Sequence, residues 1–105
     1  MERCKVELLP AAWDDIQEIF EYISVDSLKA AEQTFEKIMH SLRRLEDFPN
    51  SGSYVPDEEL KKRGFRMVIA SPYISFYRFI ENTVFVYHVV HGARDYSDLL
   101  KRHTT

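Results

Sequence analysis

The sequence predicts an α+β domain in which a two-helix hairpin packs on an antiparallel sheet, in the order β-α-α-β-β-β. Three observations carry this. Two stretches between residues 10 and 48 repeat apolar residues at helical spacing, and a short alternating run precedes them. Three runs rich in Phe, Tyr, Val and Ile follow at 65–70, 73–80 and 83–91. Helices grouped in sequence and then strands grouped in sequence make an α+β arrangement rather than an alternating one.

Each element has its own signal. Residues 3–9 place Cys4, Val6 and Leu8 on one side of a strand, and Pro10, which cannot donate to a ladder, ends it. Pro10 also suits the first turn of a helix over roughly 10–24. There Ala12, Ile16, Ile19, Phe20 and Ile23 form one apolar stripe, and Asp14, Asp15, Glu18 and Glu21 fall mainly on the other side, where a solvated face accounts for them. Asp26 or Ser27 caps a second helix. Its stripe is Ala31, Phe35, Ile38, Met39, Leu42 and Leu45, ending near Phe48-Pro49. The short connection predicts an antiparallel hairpin. Turn chemistry at Pro49-Asn50-Ser51-Gly52-Ser53 and the charges that follow make 49–64 one long loop. Ser71-Pro72 and Glu81-Asn82 separate the three strands of a meander, and Asp95–Lys101 forms a last helical turn.

The middle strand carries bulk on both faces, with Phe76 and Ile80 on one and Tyr73, Tyr77 and Phe79 on the other. One hairpin covers one face. The second is expected to expose aromatic surface, which usually marks a partner site.

Composition bounds the function. A chain of 105 residues fits a single domain spanning 1–105. Its 14 Lys and Arg against 17 Asp and Glu give a net charge of −3, which argues against holding nucleic acid by bulk charge. The lone Cys4 excludes an internal disulfide and a cysteine-based zinc cage. His88 and His91 sit three apart on a strand and point to opposite faces, so no metal or other cofactor is expected. No apolar run approaches the ~20 residues of a membrane helix. The opening residues lack a signal-peptide pattern, so a cytoplasmic location without membrane contact is expected. Arg66 and Arg78 interrupt apolar runs and are expected to form structural ion pairs, and Arg94 has Asp95 as a local partner. The run Lys61-Lys62-Arg63 reads as a hydrated loop.

The ordered motifs add a resemblance. Leu9-Pro10-Ala11-Ala12-Trp13-Asp14-Asp15-Ile16 with Ile19, Tyr22 and Ile23 resembles the opening helix of the RelE/ParE toxin superfamily. Leu45–Gly52 is similar to its loop between helices and sheet. Gly64-Phe65-Arg66, Tyr73–Arg78 and Val86–Asp95 resemble its three closing strands. Nearly the whole chain is covered in the right order. The resemblance implies the toxin of a type II toxin–antitoxin pair, of the kind once labelled plasmid stabilisation proteins. It also implies a cognate antitoxin as partner in a hetero-oligomer.

The superfamily has two branches: RelE-like members cut messenger RNA on the ribosome with basic and aromatic residues, and ParE-like members poison DNA gyrase. Residue by residue, Arg66 and Arg94 match basic positions of the nucleases. Val68 falls where a lysine is common and Ile74 where an arginine is common, while Tyr96 comes too soon after Arg94 to match the C-terminal acid or base. A thin set of charges stabilises a phosphorane poorly. The expectation is therefore a growth-arresting gyrase inhibitor of the ParE-like branch, without a catalytic set. The alternatives are a ribosome-dependent endoribonuclease using Arg66, Arg94, Tyr96 and His91, and an inactive homologue that only binds antitoxin. Tyr73, Tyr77 and Phe79 are the expected antitoxin-binding residues if the hairpin covers the opposite face.

Overall fold

The computed structural model describes residues 3–92 and 95–102. Strand β1 (Lys5–Leu8) leads through the extended Leu9 into α1 (Pro10–Ser24), with Pro10 in the first turn where its missing N–H leaves no bond unmade. Ser27 caps α2 (Leu28–Arg43): its hydroxyl accepts from the Ala30 N–H at 3.1 Å. A 3-10 turn (Arg44–Glu46) buries Leu45 and closes the hairpin segment. Strands β2 (Ser53–Tyr54), β3 (Arg66–Ala70), β4 (Tyr73–Ile80) and β5 (Thr83–His91) complete the sheet. Glu81 and Asn82, both at positive φ, make the two-residue turn between β4 and β5, a geometry that follows the strand twist.

The sheet order is β1-β5-β4-β3-β2. All pairings are antiparallel except the first, because β1 runs parallel to β5 from Lys5 opposite Thr83 to Leu8 opposite Val86. The α+β class stands, and the sheet is mixed at this edge. A second departure lies inside β5. Phe76 pairs with His88 and Tyr77 with Val86, so Tyr87 is an extra residue. This bulge shifts the alternation: Val84 and Val86 face the hairpin before it and Val89 after it, whereas Tyr87 and Val90 join the other side.

Two apolar clusters follow, one on each face. On the first, α1 lies over β5 and α2 over β3, burying Ala12, Ile16, Ile38, Leu42 and Leu45 against Tyr77, Val84, Val86 and Val89. On the second, Phe76 and Tyr87 are covered by Val55, Leu60, Phe65 and Leu100. The expectation of an open second face is corrected here. Two short helices, α3 (Glu58–Lys62) and α4 (Ser97–Lys101), bring Leu60 and Leu100 onto it. The stretch 49–64 is thus not a plain loop. Asp57 caps α3 by accepting from the Glu59 and Leu60 N–H groups. Gly64 at φ +87° ends it, with the Phe65 N–H reaching the Leu60 carbonyl and the Gly64 N–H reaching Lys61.

Candidate functional site

The three residues expected to expose an aromatic face do not form one together, although Tyr73 also lines an open groove beside α1. Tyr77 is fully buried in the hairpin-side cluster, and Tyr73 and Phe79 pack against the same cluster. The condition attached to their antitoxin role, a hairpin on the opposite face, is not met. Period-2 alternation put them correctly on one face together, but both faces of β4 are apolar, and nothing local says which one the helices choose.

Tyr77 instead organises the loop before β2. Its hydroxyl donates to the Pro49 carbonyl at 2.8 Å and accepts from the Gly52 N–H at 3.0 Å. Burial pushes this phenol above its ordinary range, opposed by the Gly52 hydrogen bond and the nearby Arg66 charge. Gly52 has no room for a side chain, since a Cβ there would stand 2.5 Å from the Tyr77 hydroxyl and 2.7 Å from the Met67 carbonyl oxygen.

Arg66 works on the same loop. Its Nη1 donates to the carbonyls of Gly52 at 2.7 Å and Asn50 at 3.1 Å, and its guanidinium lies 4.0 Å from the Tyr54 ring centroid. Arg78, the other arginine in an apolar run, donates from Nε to the Arg63 carbonyl at 2.8 Å and sits over Phe65. Neither forms the carboxylate ion pair expected of it among the described residues; backbone carbonyls and aromatic rings take that place.

The remaining nuclease candidates do not gather around Arg66. Tyr96 stacks on Phe76 at 4.6 Å, on the face opposite the hairpin. Its phenol is raised above the usual value by burial, with Asp57 and Asp95 adding to it. His91 packs edge-on against Tyr73 at 5.8 Å at the far end of the sheet, where Tyr73 pairs with Ala70. Arg66 pairs with Tyr77 at the other end of β3, roughly 13 Å along the strand. Arg94 lies outside the described residues. Val68 and Ile74 are partly buried against the two clusters, one on each face.

Sequence reasoning missed Asp15. Assigned to a solvated helix face, it turns toward β5, where Oδ2 lies 2.7 Å from His88 Nδ1 and accepts from the Val89 N–H at 3.0 Å. Beside it, a groove of about 420 Å³ opens between α1 and the ends of β4 and β5, lined by Glu18, Ile19, Tyr22, Tyr73 and His91 among others. A spacing signal exists in hindsight: Asp15 precedes the buried Ile16 and follows Ala12 by three, at the margin of the apolar stripe.

Comparison with known proteins resolves the family. The family described as "ParE toxin of type II toxin-antitoxin system, parDE" matches residues 6–96. The chain belongs to the ParE toxin family. It is thus a type II toxin–antitoxin toxin of the ParE/RelE kind. Among solved structures, a chain of the chromosomal ParDE system from P. aeruginosa superposes with a TM-score of 0.70 at 16% identity, covering 85% of this chain and 96% of that one. A chain of the RelBE2 toxin–antitoxin complex from Mycobacterium tuberculosis gives a TM-score of 0.62 at 17% identity, covering 85% and 98%. Both show that the ParE-family chain shares their fold. No curated protein sequence matches it. No helix of the described residues is long and apolar enough to cross a membrane, and no group of three or more His, Cys, Asp or Glu among them could hold a metal ion.

Proposed function

We propose that this toxin arrests growth by inhibiting DNA gyrase and is neutralised by a cognate antitoxin in a hetero-oligomer. The observation that carries the mechanism is the commitment of Arg66 to the carbonyls of Asn50 and Gly52, on the hairpin side and away from Tyr96 and His91. In-line attack of a ribose hydroxyl needs positive groups, a base and an acid converging on one phosphate. Tyr96 fits poorly as the acid, because efficient proton transfer wants a pKa near the working pH and burial moves this phenol further away. The apolar packing of Val68 and Ile74 and the net charge of −3 support the same reading. A gyrase inhibitor needs a complementary surface rather than a convergent set. The neighbours' ParDE and RelBE2 systems support an antitoxin as partner.

The test is to add purified protein to gyrase with supercoiled plasmid and, separately, to a ribosome-programmed translation mix. Accumulation of gyrase–DNA cleavage complexes with intact messenger is the expected result. Site-specific messenger cleavage that disappears in Arg94→Ala, with gyrase untouched, would overturn it in favour of the endoribonuclease. Inactivity in both would assign an antitoxin-binding homologue without toxicity.

A further inference from the structure

The outer face of α1 combines two properties that a merely hydrated helix does not need. Residues 10–27 hold Asp14, Asp15, Glu18, Glu21 and Asp26 but neither Lys nor Arg. Asp15 turns inward to His88, and among the described residues the other four form no ion pair. Beside these carboxylates, large apolar side chains are left in water at the end of α1: Tyr22 at 81% exposure and Val25 at 84%. Solvation explains the charges and leaves the apolar residues unexplained. The groove beside Asp15 adds shape, since Ile19 and Tyr22 from α1 face Tyr73 from β4 across it, with Glu18 on its wall.

We propose that this face docks a cationic amphipathic segment of the neutralising partner protein. Its apolar side chains enter the groove against Ile19, Tyr22 and Tyr73, and its Lys or Arg side chains meet Glu18, Glu21 and Asp14. The chemistry selects that occupant. An anionic or nucleic-acid partner is repelled by an unrelieved row of carboxylates, and a purely apolar one leaves them desolvated without counter-charges. A guanidinium over the Tyr22 ring would use the aromatic face and the neighbouring carboxylate together. Anchors at helical spacing fit a groove that runs beside a helix. The identity of the segment as part of an antitoxin rests on the function proposed above; the surface and its charge preference do not.

The probe is a fluorescent synthetic peptide of roughly 18 residues, about five helical turns, with Leu on one face and Lys and Arg on the other. Its two controls are a Leu-free cationic peptide and an amphipathic peptide with Glu in place of the basic residues. Anisotropy with the full chain should show the cationic amphipath binding at least about tenfold more tightly than either control, a difference of about 1.4 kcal/mol. Charge reversal by Glu18→Lys with Glu21→Lys should weaken it by about tenfold or more and transfer the preference to the acidic peptide. Both positions are exposed on α1, so the fold is retained, and the gain with the acidic peptide guards against simple unfolding. Tyr22→Ala should weaken the cationic amphipath, while Lys61→Glu with Lys62→Glu should leave it unchanged. Equal binding of all three peptides, or no response to charge reversal, would overturn the proposal. So would a dimer that dissociates on Lys61→Glu with Lys62→Glu, which would assign the face to a second copy of the chain. Growth arrest on expression in cells is scored separately. Its absence removes the toxin reading and leaves the peptide result standing. Arrest and neutralisation unaffected by the charge reversal remove only this surface.

Discussion

His88 and Asp15 tie the first helix to the last strand, with Nδ1 and Oδ2 2.7 Å apart and side-chain exposures of only 7% and 17%. The same carboxylate oxygen accepts from the Val89 N–H, just beyond the bulge that Tyr87 introduces. One side chain therefore satisfies two donors where α1 crosses β5. Asp15→Ala leaves both of these bonds unmade in a mostly buried place and should cost about 1–3 kcal/mol. Urea unfolding monitored by circular dichroism checks this. A loss below about 0.5 kcal/mol, ordinary for a surface substitution, would show that Asp15 is only a solvated residue after all.

The packing of Gly52 on Tyr77 predicts a coupling between two small changes. Tyr77→Phe keeps the buried ring and removes only the hydroxyl bridge between Pro49 and Gly52, at a cost of about 1–3 kcal/mol for the stranded groups. Gly52→Ala adds one methyl against a buried tyrosine and a backbone carbonyl that cannot step aside, so overpacking of about 1–3 kcal/mol is expected. Combining Gly52→Ala with Tyr77→Phe should cost less than the sum, because the removed hydroxyl is the nearest atom to the new methyl. Strict additivity in the double-mutant cycle would contradict the contact.

These residues also show what a sequence makes visible. Pro10, the Ser27 cap and the turn at Glu81-Asn82 act locally, and the starts of α1, α2 and β5 and the end of β4 follow from them. Three features resist because their causes are not local. The parallel pairing of β1 with β5 joins segments some eighty residues apart, and alternation says nothing about direction. The bulge at Tyr87 inverts parity within a run that reads as continuous. The short helix α3 shows a single buried apolar residue, Leu60, among charges, too little for a periodic stripe, although Asp57 and Gly64 bracket it as start and stop signals. For the candidate site, Arg66 was visible as an arginine in an apolar run, but its carbonyl partners are fourteen and sixteen residues upstream.

Acid should loosen the contact between α3 and α4 before the rest of the fold. Hydrogen bonding from the Leu60 N–H, then from Lys101, holds the Asp57 carboxyl below the ordinary carboxylate range. A depressed carboxylate contributes stability that is present above its unfolded pKa and is lost as pH falls through the folded one. The Lys101 ammonium is shifted the other way by its hydrogen bond to Asp57, so its contribution is present below the ordinary lysine pKa and is lost as pH rises through its raised folded pKa. Asp57→Ala should therefore lower the unfolding midpoint at pH 7 and lie closer to the parent once the pH has fallen through the lowered folded pKa of Asp57, where both lack the carboxylate charge. Parallel midpoint curves across that range would show that the pair contributes nothing.

Arg66 separates a structural role from a catalytic one. If it clamps the loop, Arg66→Ala removes charge-assisted bonds to two carbonyls and a cation–π contact with Tyr54. The expected cost is about 1–2 kcal/mol of stability, reduced from the buried value because the Asn50 bond is exposed to water. Potency of the folded protein against its target should then change little once concentrations are corrected for the folded fraction. If Arg66 instead stabilises transition-state charge, stability should hardly move, while messenger cleavage falls by about 10²–10³. Arg66→Lys sharpens the comparison. A lysine keeps the positive charge yet lacks the planar guanidinium that stacks on Tyr54 while Nη1 reaches the two carbonyls, so it should restore a catalytic charge better than it restores the clamp. Measuring unfolding midpoints and target inhibition on the same three proteins decides between the roles. Loss of stability in both variants with unaltered potency is the outcome the structure leads us to expect.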